Sequence, residues 1–164
     1  MSRHGGGVRS VAYSFNGTQI VTGSGDRTAI VWDAASGDRL FTLAGHAGYV
    51  SSVAYSPDGS RIVTGSEDRT AIVWDAASGS QLTTLAGQVG GVYSVAYSPD
   101  GRRIVITGFG ATVWGSAFGD YLGPLLAPAE YVLYAAAFSP DGSRIVTGSG
   151  DGTAIVWDAK VATL

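Results

Sequence analysis

Cysteine is absent, which excludes disulfide bridges, thiolate metal sites and a cysteine nucleophile. Charge is sparse at 14% of residues. The 10 Lys and Arg are scattered, so no basic face for nucleic acid can be assembled. No run approaches the ~20 apolar residues of a membrane span. The opening stretch, Met1-Ser2-Arg3-His4-Gly5-Gly6-Gly7, lacks the apolar core of a signal peptide, and the cytoplasm is the expected compartment. Proline is scarce, 5 residues, while glycine is abundant, 25, without a Gly-X-Y period. That balance means many tight turns. Hydrophobic residues make up 45% of 164, enough for one domain with a real core and too many for a disordered chain.

What is present is a repeated unit. In Ser52–Asp75, three β-branched or small-residue runs are separated by Ser56-Pro57-Asp58-Gly59 and by Ser66-Glu67-Asp68-Arg69. Proline presets φ and glycine supplies φ > 0, so the first tetrapeptide predicts a tight turn. The second is polar and turns the chain again. Past Trp74 the unit adds another turn and a fourth run. Each unit therefore predicts four antiparallel strands of ordinary length. The turn tetrapeptide recurs at Ser14, Ser56, Ser98 and Ser139, at intervals of 42, 42 and 41 residues. All four tryptophans, Trp32, Trp74, Trp114 and Trp157, keep the same phase. Val8–Ala44 and Val50–Ala86 are identical at 28 of 37 positions, which implies recent duplication or deliberate design.

Gly45-His46, Ser56-Pro57-Asp58-Gly59, Asp68 and Trp74-Asp75, at this period, resemble the WD-repeat family over essentially the whole chain. The resemblance implies an all-β propeller of four-stranded antiparallel blades around a channel. The chain reads as a single domain, 1–164, with repeats at about 4–45, 46–87, 88–128 and 129–164. It further implies that His, Thr, Asp and Trp form a buried structural relay. The relay residues are His4, Thr22, Asp26 and Trp32, then His46, Thr64, Asp68 and Trp74, with Thr147, Asp151 and Trp157 remaining in the fourth unit. The third unit keeps at most Thr107 and Trp114. Its Ser98–Trp114 distance is 16 residues where the other units have 18, and Gly108-Phe109-Gly110 replaces the Asp-bearing turn.

A hydroxyl, His and Asp set also suggests acyl transfer. A set repeated in tandem and decaying elsewhere reads as scaffold instead, and no GxSxG elbow embeds the hydroxyls. Gly23-Ser24-Gly25-Asp26 lacks the Lys and helix of a phosphate loop. Two histidines 42 residues apart make a poor metal site. No cofactor or metal is expected. The candidate partner-binding rim comprises Arg27, Tyr49, Glu67, Arg69, Phe109 and Tyr131.

The expected function is a non-catalytic scaffold presenting that rim to proteins or peptides. The alternative is a purely structural amplified or designed repeat fragment with no specific partner. Family propellers usually close with seven or eight blades, so four blades make a half-ring. Neither terminal unit looks like a cap, so a homodimer closing eight blades is expected. A nucleic-acid or membrane partner is not.

Overall fold

The computed structural model describes residues 3–125 and 132–160. Among these the chain is all-β, with fifteen strands and no helix. The first blade comprises β1 (Val8–Tyr13), β2 (Gln19–Ser24), β3 (Thr28–Asp33) and β4 (Arg39–Ala44). The second has β5 (Val50–Tyr55), β6 (Arg61–Ser66), β7 (Thr70–Asp75) and β8 (Gln81–Ala86). The third has β9 (Ser94–Tyr97), β10 (Arg103–Gly108), β11 (Gly110–Gly115) and β12 (Tyr121–Leu125). In the fourth, β13 (Leu133–Phe138), β14 (Arg144–Ser149) and β15 (Ala154–Asp158) form a three-stranded sheet among the described residues. By sequence the short C-terminal stretch can supply a fourth strand here only if its turn is shortened relative to the first unit, and residues 161–164 lie outside the described residues. Every sheet is an antiparallel meander in sequence order.

Turn chemistry sets this register. In the second blade the Gly59 N–H donates to the Ser56 carbonyl (2.9 Å), and the Arg61 N–H donates to Ser56 Oγ (2.9 Å). Gly59 sits at φ 71°, and its counterparts Gly17, Gly101 and Gly142 lie at 69–70°, where a Cβ would be strained. The third unit's short turn is now explicit: one residue, Phe109, links β10 to β11, where three link β6 to β7.

The core lies between blades rather than within them. Val21, Val31 and Leu43 of the first blade pack on Val50, Val53, Ile62 and Trp74 of the second. Val63, Val73 and Leu85 repeat this against Val92, Val95, Ile104 and Trp114. Val105, Val113 and Leu125 meet Leu133, Ile145 and Ala159 of the fourth. Each such buried aliphatic side chain stabilises by roughly 1.5–3 kcal/mol. No core cluster joins the first blade to the fourth among the described residues. Their outward faces stay in water: Val8 is 53% exposed, Val11 66% and Val156 61%, whereas the equivalent Val50 and Val31 are 0% exposed.

Serines stitch the inner strands together. Ser10 Oγ accepts the Val53 N–H (3.1 Å), Ser52 Oγ the Val95 N–H (3.1 Å) and Ser94 Oγ the Ala136 N–H (3.4 Å). Arginines do the same lower down: Arg61 donates to the Ser116 carbonyl and Arg103 to the Ala159 carbonyl.

Candidate functional site

The residues with the most chemistry converge at the end of each blade where β2 turns into β3. In the second blade the His46 ring Nδ1 lies 2.9 Å from Asp68 Oδ2 and its Nε2 lies 2.8 Å from Thr64 Oγ1. The Trp74 indole N–H donates to the same Thr64 oxygen at 2.9 Å. An indole can only donate. The hydroxyl oxygen therefore accepts from the indole, while the imidazole bridges it to the Asp68 carboxylate. The turn feeds the same carboxylate: Thr70 Oγ1 donates to Asp68 Oδ1 (2.6 Å) and the Ala47 N–H to Oδ2 (2.8 Å). The first blade repeats the chain, with His4 to Asp26 at 3.0 Å, His4 to Thr22 at 2.7 Å and Trp32 to Thr22 at 2.8 Å.

Thr64 has no solvent exposure, and its oxygen is already shared between an indole and an imidazole. A substrate carbonyl has no approach to it. The arrangement spends its hydrogen-bonding capacity on tying four segments together: the loop before β5, β6, the turn after it and β7. Burial works against ionisation of Asp68, but the Thr70 hydroxyl, His46 and the Ala47 amide outweigh it and lower its pKa from 3.8. Asp26 is lowered further, with burial again opposed by Thr28, Gly5 and His4.

A folded-state pKa below the unfolded one stabilises above the unfolded value and is lost as pH falls. Asp68→Ala is therefore expected to cost about 1–3 kcal/mol near neutral pH. It should cost little below the lowered pKa. Chemical denaturation of both proteins across the acid range checks this; equal losses at all pH values would break the assignment.

In the fourth blade the Trp157 N–H donates to Thr147 Oγ1 (2.8 Å), and Asp151 accepts from Thr153 (2.7 Å) with no histidine in the set. The third blade differs from expectation. Trp114 donates not to Thr107 but to Thr112 Oγ1 (2.9 Å), and Gln88, at the histidine position, bonds the same hydroxyl (3.1 Å). Register explains it. Thr64 pairs with Ile72 across the second blade; the matching pair in the third is Ile106 with Thr112. The hydroxyl has moved to the partner strand. Thr107 lies one position further on, level with Gly65, and its buried Oγ1 has no partner among the described residues.

Of the rim residues, Arg27, Tyr49, Glu67 and Arg69 line one polar hollow of about 930 Å³ between the first two blades, with Asp26 and Asp68 at its edge. Arg9, which sequence reasoning did not single out, reaches into this region. Its guanidinium stacks 4.7 Å from the Tyr49 ring centre and pairs with Glu67 at 3.6 Å. Its signal was the divergence of Arg9 from Ser51 between otherwise matching strands. Arg27 and Arg69 sit at φ 73° and 71°, the left-handed region that favours glycine; Gly152 occupies it in the fourth blade. Phe109 lies apart, on an apolar hollow of about 510 Å³ with Val89, Trp114, Tyr121 and Leu125. Tyr131 lies outside the described residues. Among the described residues no group of His, Asp and Glu could hold a metal ion, and no helix is long and apolar enough to cross a membrane.

The model for the WD domain, G-beta repeat (WD40) matches residues 1–33, 37–75, 79–114 and 125–158. A curated relative, "Dynein assembly factor with WD repeat domains 1" from Xenopus laevis, is 50% identical over 38 residues. That similarity covers 23% of this chain and 9% of the relative, about one blade.

Proposed function

Because the chain belongs to the WD40 repeat family, we propose that it is a non-catalytic scaffold that closes into an eight-bladed ring as a homodimer and offers its rim to proteins or peptides. WD40 repeats commonly mediate protein–protein interaction. The observation that carries the reading is the pair of unpartnered apolar faces at the two ends. Ordinary monomers rarely expose contiguous apolar patches beyond ~300–600 Å². A two-fold axis along the channel puts the last blade of each copy on the first blade of the other and covers both faces at once. Such an interface should be of obligate size, above ~2,000 Å² in total.

The rim is supported by Arg27 and Arg69. They hold a backbone conformation that glycine would take without strain, which costs roughly 1–2 kcal/mol each. Retaining arginine there favours a role for the side chain. The near-identity of the first two units favours the second reading, a structural repeat fragment with no selected partner.

Light scattering tests the assembly: a stable species at 16.7 kDa rather than twice that mass would sink it. Pull-down from the source cell, repeated with Arg27→Ala/Arg69→Ala, separates the two readings. Capture lost with the arginines supports the rim; no specific capture by the parent protein supports the structural fragment.

A further inference from the structure

The seams between blades follow a size rule at one register position. That position on the second strand of each blade is Gly23, Gly65, Thr107 and Gly148. A Cβ placed on Gly23 would lie 2.7 Å from Val50 Cγ1 and 2.9 Å from Val53 Cγ1 of the next blade. One on Gly65 would lie 2.5 Å from Val92 Cγ1 and 2.9 Å from Val95 Cγ1. Real Cβ atoms do not come that close, so these glycines are sockets shaped by the neighbouring valines. At the third seam the residues on both sides change. The incoming residue is Ala136, level with Val53 and Val95, and the receiving residue is Thr107, fully buried. Of the two incoming positions, the one held by Val53 and Val95 shrinks to Ala136, while the one held by Val50 and Val92 becomes Leu133.

The fourth socket is open among the described residues. Nothing among the described residues lies within 4 Å of a Cβ built on Gly148. At the opposite end of the chain the register equivalents of the knobs are Val8 and Val11, both exposed. We propose that Val8 and Val11 of one copy seat in the Gly148 socket of another, and that the Val11–Gly148 size match determines which surfaces join. This deepens the homodimer reading and rests on it; the occupant is a second copy because the free ends carry the glycine half and the valine half of a seam the chain already makes twice. Arg144 occupies the position from which Arg61 and Arg103 reach the next blade, beside an open hollow of about 460 Å³. Its counterpart acceptor on the second copy is the Ala34 carbonyl, level with Ser116 and Ala159. One element is missing. Ala135 stands where Ser10, Ser52 and Ser94 clasp the next blade, so the junction between copies lacks the serine bond of the internal seams.

The test is sedimentation over a dilution series. Gly148→Thr is expected to weaken self-association at least ~10-fold, and Val11→Ala/Gly148→Thr, which copies the Ala136–Thr107 match, to recover part of that loss. Ala135→Ser should strengthen association while the product stays a discrete dimer, whereas misfolding gives larger aggregates. If the parent protein dimerises but Gly148→Thr dimerises equally well and Ala135→Ser changes nothing, the seam assignment is overturned while the homodimer stands. A parent protein that is monomeric throughout overturns both.

Discussion

Trp74→Ala is expected to lower stability by about 3–5 kcal/mol. The side chain is 2% exposed and belongs to the core between the first two blades, against Val21, Val31 and Leu43. Its loss opens a cavity in that seam and removes the indole donor from Thr64 Oγ1, which ends the relay at the hydroxyl. Trp32, the equivalent on the first blade's outward face, is only half-buried. Trp32→Ala should cost less within one copy and should weaken assembly instead, since a second copy would cover that face. Denaturation curves at two protein concentrations read both effects. A Trp32→Ala loss equal to that of Trp74→Ala, and independent of concentration, would contradict the difference in burial.

Gly65→Val should also be severely destabilising, by about 3 kcal/mol, at the upper end of ordinary overpacking. Three added carbons would be driven into Val92 and Val95, which already lie at 2.5 and 2.9 Å from a bare Cβ. Those valines belong to the central seam, so neither blade can retreat without losing contact elsewhere. The backbone is not the obstacle, because Gly65 is not in the left-handed region. Thermal melts showing a Gly65→Val variant as stable as the parent would mean that the seam is looser than its buried side chains indicate.

Blade number, strand order and the turns were readable in the sequence because the residues that set them are local. Ser-Pro-Asp-Gly specifies its turn from within four residues, and the 42-residue interval repeats the same instruction. The His46, Thr64, Asp68 and Trp74 set was readable for a similar reason: each member keeps its place along the unit. The third blade was not. Expecting Thr107 to serve Trp114 ignored pairing register, which puts Ile106 level with Thr64 and moves the hydroxyl to Thr112. The turn shortened to Phe109 hides that offset when positions are counted from the tryptophan. Contacts between blades were also invisible, since Arg61 and Ser116 meet across 55 residues of sequence. The serine clasps did leave a trace. Ser10, Ser52 and Ser94 recur at 42-residue spacing, and Ala135 breaks the series at the blade that has no following blade among the described residues.

The absence of native cysteine makes the ring directly testable with an engineered bridge. A Cβ on Gly65 would lie 3.3 Å from the Val92 Cβ, close to the ~3.5–4.5 Å of a disulfide. The equivalent pair at the junction between copies is Val8 and Gly148. The measurement is non-reducing electrophoresis of oxidised Val8→Cys/Gly148→Cys. A closed ring of two half-propellers gives a covalent dimer as the end product, reversed by reductant. A chain that stays monomeric, or a ladder of trimers and longer species from an open filament, would contradict it.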